Sequence, residues 1–240
     1  MQVNAVKTRV FKPRENLADF ILEHVPHAEE NTVLAVASKL FALWKGEILS
    51  YQNAAQKEKI ILQQSQFALK TALAWLTVKD GMVMTNAGVD ESNAEGKLLC
   101  LPGNCYALAA QLRAVLGAKW GVKNLGVVVS DSMILPLRAG VVAAAVAYAG
   151  FKGVRDLRGQ PDLFGKKLQV TLVNAADTLA SAAALEMGEG AECCPLGLIT
   201  HARVEFVDRV PENEIKYPMK DDLYAPLFHA AGYTKKGEKK

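Results

Sequence analysis

Hydrophobic positions along this chain switch repeatedly between a spacing of two and a spacing of three to four. Val3 to Val10 alternates and predicts a first strand. Leu17, Phe20, Ile21 and Val25 fall at helical spacing and predict a helix over Arg14 to His27. Asn31 to Ser38 (NTVLAVAS) is a compact apolar run bounded by turn-forming residues, which predicts a buried strand. In Gln56 to Thr77, Ile60 and Phe67 lie two turns apart, and Leu69, Leu73 and Leu76 follow at steps of four and three. That spacing predicts one long helix. Gly81 to Asn86 reads as a strand, and Cys105 to Leu116, with Leu108, Leu112, Val115 and Leu116, as an amphipathic helix. Asn124 to Ser130 is the clearest strand: its three consecutive valines are stiff at χ1 and suit burial on both faces. Ala139 to Gly150 fits helix or strand, and its small residues imply close backbone packing in either case. Leu168 to Val173 alternates as a strand. Asn174 to Met187 is an Ala-rich helix that Gly188 would stop, and Thr200 to Val210 reads as a late strand. Strands and helices mix without a regular βαβ rhythm, and no repeat is visible. The fold class is therefore α+β, not a doubly wound sheet. Composition shifts near Thr85–Asp90 and Glu189–Pro195 predict a middle domain over 86–189. Residues 1–85 and 190–228 would form a second, discontinuous domain.

Composition narrows the class without naming a function. Of 240 residues, 50% are hydrophobic, 22% charged and 7% aromatic, which is the balance of a globular chain with a substantial core. The net charge is only +3, and the excess sits in a basic tail over 234–240, expected to be flexible. A charge-driven nucleic-acid surface is not indicated. Met1 to Asn16 has four basic residues and no apolar core of a signal peptide. The longest small-apolar run, Ala139 to Gly150, is too short for the ~20 residues that span a bilayer. Cys100, Cys105, Cys193 and Cys194 form no CxxC pair and no zinc spacing, so reduced thiols and a cytoplasmic location are expected.

Common catalytic signatures are missing: there is no phosphate-binding G-x-x-x-x-G-K-[ST], no complete G-x-G-x-x-G and no G-x-S-x-G. Two short acidic segments remain. Asn86-Ala-Gly-Val-Asp90-Glu-Ser-Asn93 follows a predicted strand, and Ser130-Asp131-Ser132 follows the triple-valine strand. Carboxylates beside hydroxyl or amide groups at strand ends are what Mg²⁺ or Mn²⁺ needs, since these ions take one or two carboxylates and complete their shell with water and phosphate oxygens. The same residues also suit Asx-turns that end strands. Arg155 to Gly165 carries two Asp and two Gly at turn spacing; it fits either a phosphate or metal site or a tight surface connection. Lys39, after the Asn31–Ser38 strand, suits either a phosphate contact or a solvated surface.

Taken in order, these segments carry a family resemblance. V-A-S-K at 36–39, NAGVDESNA at 86–94, VVVSDS at 127–132, Pro136-x-Arg138, AYAGFKGVRDLRGQPDLFGKKLQVT at 147–171 and ADTLASAAALEMGE at 176–189 together resemble the coenzyme F-420 gamma-glutamyl ligase family, over roughly residues 5 to 200. That resemblance implies an α+β, two-domain fold assembled as an intertwined homodimer. It implies a GTP-dependent ligase that joins L-glutamate to an acceptor carboxylate with Mg²⁺ or Mn²⁺. By matching motif, Asp90, Asp131 and Ser132 would bind the metal, and Ser38, Lys39 and Asn93 the nucleotide. Arg138 and Arg158 would hold a substrate carboxylate or phosphate. Thr8 to Phe11 occupy the place of a nucleotide-contacting stretch but do not share its usual residues. No general base is assigned. Partners would be small molecules, with neither nucleic acid nor membrane.

Several positions depart from the family pattern. Leu43 stands where a second nucleotide lysine is usual, with Lys45 two residues on as its possible replacement. Ile134-Leu-Pro136-Leu-Arg138 lacks the usual Gly, Arg and Trp of a G-R-P-W-R segment. These changes leave two further readings: a gamma-glutamyl ligase acting on a folate or another small carboxylate, and a non-catalytic relative that binds nucleotide or metal.

Overall fold

The structure, a computed structural model, describes residues 1–233. The predicted tail at 234–240 lies outside them. In chain order the elements are β1 (Gln2–Val6), α1 (Leu17–His24), β2 (Thr32–Ala37), α2 (Ser38–Lys45) and β3 (Ile48–Leu49). Next come α3 (Ala54–Gln64), β4 (Phe67–Lys70), β5 (Trp75–Lys79), β6 (Met82–Thr85) and β7 (Leu98–Leu99). The remainder are α4 (Cys105–Trp120), β8 (Leu125–Ile134), β9 (Val141–Ala149), β10 (Val154–Asp156), β11 (Leu172–Asn174), α5 (Ala175–Met187), β12 (Leu196–Thr200) and α6 (Ala225–Ala230). This is the α+β class expected.

The described chain divides into two compact units, each made of two segments: 1–49 with 99–215, and 50–98 with the described residues from 216 onward. The division anticipated from composition is different. β8 and β9, placed in a separate middle domain by sequence, share one sheet with β1, β2 and β12. The backbone hydrogen bonds of that sheet, and not a change in composition, decide which segments belong together.

In the first unit the sheet order is β1-β12-β2-β8-β9. β12 runs antiparallel to β1 and to β2; β2 and β8 are parallel; β9 returns antiparallel along β8. Thr32 to Val36 are all buried, as are Leu125 to Ser130, so neither face of the central pair meets water. One face packs against α5. Val33, Ala35, Val128, Ala143 and Ala145 of the sheet meet Ala176, Leu179, Ala180, Ala183 and Met187. The small residues at 139–150 thus form a strand, whose alanines let the Ala-rich helix approach closely. Close approach also explains Gly150, with φ +87°: a Cβ there would lie 2.1 Å from the Leu125 carbonyl oxygen.

The second unit contains α3 and the antiparallel meander β4-β5-β6. The predicted helix over Gln56 to Thr77 is corrected here. α3 stops at Gln64, and Ser65 turns extended while its hydroxyl donates to the Ile61 carbonyl at 2.6 Å. The apolar residues beyond it alternate as strands, with Phe67 opposite Val78 and Leu69 opposite Leu76. Thr71 closes the turn between them. β5 and β6 join through Asp80 and Gly81, both at positive φ, the geometry of a two-residue hairpin. The late strand is also displaced: it covers 196–200, and His201, at φ 55°, ends it.

Candidate functional site

The parallel pair β2/β8 and the start of α2 place the first group of residues. Ala37 pairs with Ser130, so the end of β2 runs beside the segment Ser130-Asp131-Ser132. Sequence placed these three residues after a strand. They lie within β8, immediately past an irregularity in its pairing with β9 between Val129 and Ser130. Such a bulge re-aims the side chains that follow it. Ser38, first residue of α2 and 4% exposed, donates its hydroxyl to Asp131 Oδ1 at 2.7 Å. The bond joins residues 93 apart in sequence. Asp131 thus accepts from a buried donor that orients its carboxylate. Lys39 follows in the first turn of α2.

Ser132 belongs to the neighbouring position on β8, and its hydroxyl donates to Glu189 Oε2 at 2.7 Å. Glu189 follows the end of α5, and the segment after it passes beside β1 and β2. The Thr8 amide donates to the Cys193 carbonyl, and the Ala37 amide to the Pro195 carbonyl, both at 2.9 Å. Thr8, Ser38, Asp131, Ser132 and Glu189 thus lie around one end of the sheet, the carboxyl end of the parallel strands, where open α/β sheets bind ligands. Glu189 was not singled out by sequence reading. It closes the stretch quoted at 176–189, but only the pairing with Ser132, 57 residues away, gives it a place beside Asp131.

α2 has Ala37 at its N-cap and, like α4 and α6, no side-chain cap, whereas Asn16, Asn53 and Asn174 cap α1, α3 and α5. An uncapped helix start next to a strand end suits an anion. Lys45, two residues past Leu43, sits at the opposite end of α2 with its ammonium 5.0 Å from the Trp44 ring centre. Seven residues of helix, about 10 Å, separate it from Ser38.

Asp90 and Asn93 belong to the second unit, in the segment after β6. That segment opens with three successive residues in the left-handed region, Asn86, Ala87 and Gly88, at φ 53°, 55° and 67°. For Ala87 this conformation costs energy, and buried hydrogen bonds hold it. The Ala87 amide donates to Thr77 Oγ1 at 2.8 Å, and the fully buried Thr77 hydroxyl donates in turn to the Met84 carbonyl. Asn86 Oδ1 accepts from the Trp75 amide at 3.0 Å. Asp90 accepts from the amide and the hydroxyl of Ser92 at 2.7 and 3.0 Å, which is an Asx-turn. The adjacent Glu91 is paired with Lys57 at 2.8 Å and accepts from the Tyr51 hydroxyl. The Lys57 ammonium, and then the Tyr51 hydroxyl, hold its carboxyl below the usual range, while the same bond pushes the Tyr51 phenol up. Asn93 is exposed, at φ 55°.

The two arginines assigned to substrate are less informative. Arg158 closes a bidentate pair with Asp156, 2.6 Å at its shortest, and holds that carboxyl down to about 2. The Arg155–Gly165 stretch is a turn-rich surface connection, in which Asp162 accepts from the amides of Phe164 and Lys166. Arg138 lies in the exposed turn between β8 and β9. None of the four cysteines forms a disulfide. Among the described residues no three His, Cys, Asp or Glu are gathered as a metal cluster, and no helix is long and apolar enough to cross a membrane.

The α+β fold thus ends its parallel strand pair in an acid and a hydroxyl locked together. Comparison with known proteins gives the family. A model of the F420-0:Gamma-glutamyl ligase family matches residues 5–201. The chain is 34% identical over 206 residues to the coenzyme F420:L-glutamate ligase of Methanopyrus kandleri, covering 78% of this chain and 81% of that protein. It is 30% identical over 244 residues to the enzyme of the same name from Methanocaldococcus jannaschii, covering 93% and 96%. The Archaeoglobus fulgidus protein of that name is 31% identical over 230 residues, covering 86% and 92%. The chain belongs to the F420-0:gamma-glutamyl ligase family and is a ligase.

Proposed function

We propose that the protein is a GTP- and divalent-metal-dependent ligase that joins the amine of L-glutamate to an acceptor carboxylate, the acceptor being the F-420 precursor or a closely similar molecule. The observation that carries this reading is the partly buried Ser38–Asp131 hydrogen bond at the uncapped start of α2. A carboxylate does not react with an amine near neutral pH. In the proposed sequence an acceptor carboxylate oxygen attacks the γ-phosphorus of GTP, and GDP leaves. The glutamate nitrogen then attacks the acyl carbon of the resulting acyl phosphate. Phosphate departs with the C–O electron pair, and the nitrogen loses a proton to solvent. Charge stabilisation and alignment are the main demands on the protein.

The donor set fits a hard cation. Asp131, Ser132 and Glu189 offer only oxygen, and Asp90 is proposed as a ligand on its motif alone. Mg²⁺ needs just one or two such groups, with water and phosphate supplying the rest, so a three-acid cluster is not required. When bound, the ion would neutralise charge on the transferring phosphoryl group. Ser38 fixes the Asp131 carboxylate. The first turn of α2, with Lys39, would receive phosphate oxygens, and Asn93 would meet the nucleotide. We further propose that the protein acts as a cytoplasmic homodimer.

The test combines the protein with GTP, Mn²⁺, glutamate and a mixture of the F-420 precursor and a folate. GDP release together with a mass gain of one glutamyl unit on either acceptor is the expected result, and the mass identifies which one. GTP binding without GDP release on any acceptor would overturn catalysis. It would favour a non-catalytic relative, a reading that the position of Lys45 at the far end of α2 supports.

A further inference from the structure

A groove of about 290 Å³ lies at the N-terminal end of α5, away from the residues just described. Glu189 follows the other end of that helix, and the 13 residues between span about 20 Å. The groove carries three nitrogen-rich side chains, Arg155, His201 and Arg203, over a wall that includes Val173, Leu179 and Val204. They come from three elements or their ends: Arg155 from β10, Val173 from β11, and His201 from the residue after β12.

The charge here is unbalanced. Three other arginines of this unit are paired with nearby acids: Arg9 with Glu15 and Glu23, Arg113 with Asp208, and Arg158 with Asp156. Among the described residues, no carboxylate is paired with Arg155 or Arg203. Asp156, next to Arg155 in sequence, is taken by Arg158. Asp177, the acid in the first turn of α5, is turned instead to the Ala145 amide and to Asn174 Nδ2, at 2.8 and 2.6 Å. Two arginines lining a mostly apolar groove suit one class of ligand. A planar carboxylate or a phosphate matches their guanidinium groups, and an apolar body covers Val173, Leu179 and Val204. A groove of this size takes a small molecule and not a polymer.

We propose that this groove is a second binding site, for a small organic anion that carries a carboxylate or phosphate on an apolar body. The inference stands apart from the proposed ligase reaction, because none of its residues belongs to that site. Calorimetry on the full chain with phenyl phosphate, 3-phenylpropionate and inorganic phosphate tests it, in comparison with the double variant Arg155→Gln, Arg203→Gln. Both arginines are exposed, so the variant keeps its fold. Expected is binding of at least one aromatic anion, at least tenfold tighter than inorganic phosphate and at least tenfold weaker in the double variant. The preferred arm tells carboxylate from phosphate. Three results overturn the proposal: no binding by either aromatic anion, equal binding by inorganic phosphate, or unchanged binding in the double variant.

Discussion

In the proposed site the Ser38 hydroxyl would act through the atom it donates to, Asp131 Oδ1. Ser38→Ala removes a donor that orients the carboxylate, and such supporting contacts are typically worth about 10–100-fold in metal affinity or activity. Asp131→Asn removes the charge itself and should lower turnover by about 100-fold or more. GDP release at saturating Mn²⁺ and at a tenth of it checks both. The serine variant should recover in excess metal, and the asparagine variant should not. Thr77 makes a comparable structural prediction. Thr77→Val strands the Ala87 amide and the Met84 carbonyl in a buried place, an expected loss of about 1–3 kcal/mol. Thr77→Ser keeps both bonds and should cost less; urea unfolding of the two variants decides. At this scale the sequence was partly legible. Ser38, Asp131 and Ser132 stood out because hydroxyls and an acid end runs of buried valine and alanine. Their partners did not, because Ser38 and Asp131 meet only when β2 and β8 pair, and Glu189 reaches Ser132 from beyond α5.

Elements that are buried on both faces were the easiest to anticipate. β2 and β8 are short apolar runs that no other structure would bury as well, and α5 is bounded by an Asn cap and Gly188. The miss at Gln56 to Thr77 has a simple cause. Leucines at steps of three and four also fall on two faces of strands once a turn intervenes, and Ser65 and Thr71 supply the breaks. Asp80-Gly81 was a readable hairpin signal. Gly150, between β9 and β10, invites a direct test: Gly150→Ala must move the backbone away from the Leu125 carbonyl. A loss of about 3 kcal/mol or more, seen by thermal unfolding, is expected. The link between β1 and α1 responds to acid. Arg9 pairs with Glu15 and Glu23 and lies 4.9 Å from the Phe20 ring centre. Its guanidinium holds the Glu15 carboxyl down to about 2, from 4.5, and lowers Glu23 as well. A carboxyl depressed in the folded state stabilises above its unfolded value and loses that contribution as pH falls toward the folded one. Melting temperature should therefore drop more for the native protein than for Arg9→Gln between about pH 5 and about pH 2.

The molecule as a whole is built from two discontinuous units, and this was the least legible level, because composition does not record strand pairing. Discontinuity makes the second unit depend on residues from the far end of the chain. Tyr233 is buried, with its ring 5.2 Å from Phe67 of β4. Tyr233→Ala should cost about 2–3 kcal/mol, somewhat less than a fully enclosed ring. Hydrogen exchange should quicken at β4, β5 and β6 while β2 and β8 keep their protection; equal loss in both would mean that the units unfold together. The position of β12 has a consequence during synthesis. β1 and β2 emerge first, yet they are not neighbours: the gap between them is reserved for a strand that begins at Leu196. At ordinary elongation speeds of about 5–20 residues per second, that space stays open for on the order of ten to thirty seconds. During that time the nascent chain exposes a bare edge of β2 that is competent to pair with the wrong strand, so its yield in the cell should depend on whatever shields that edge until the last strand arrives.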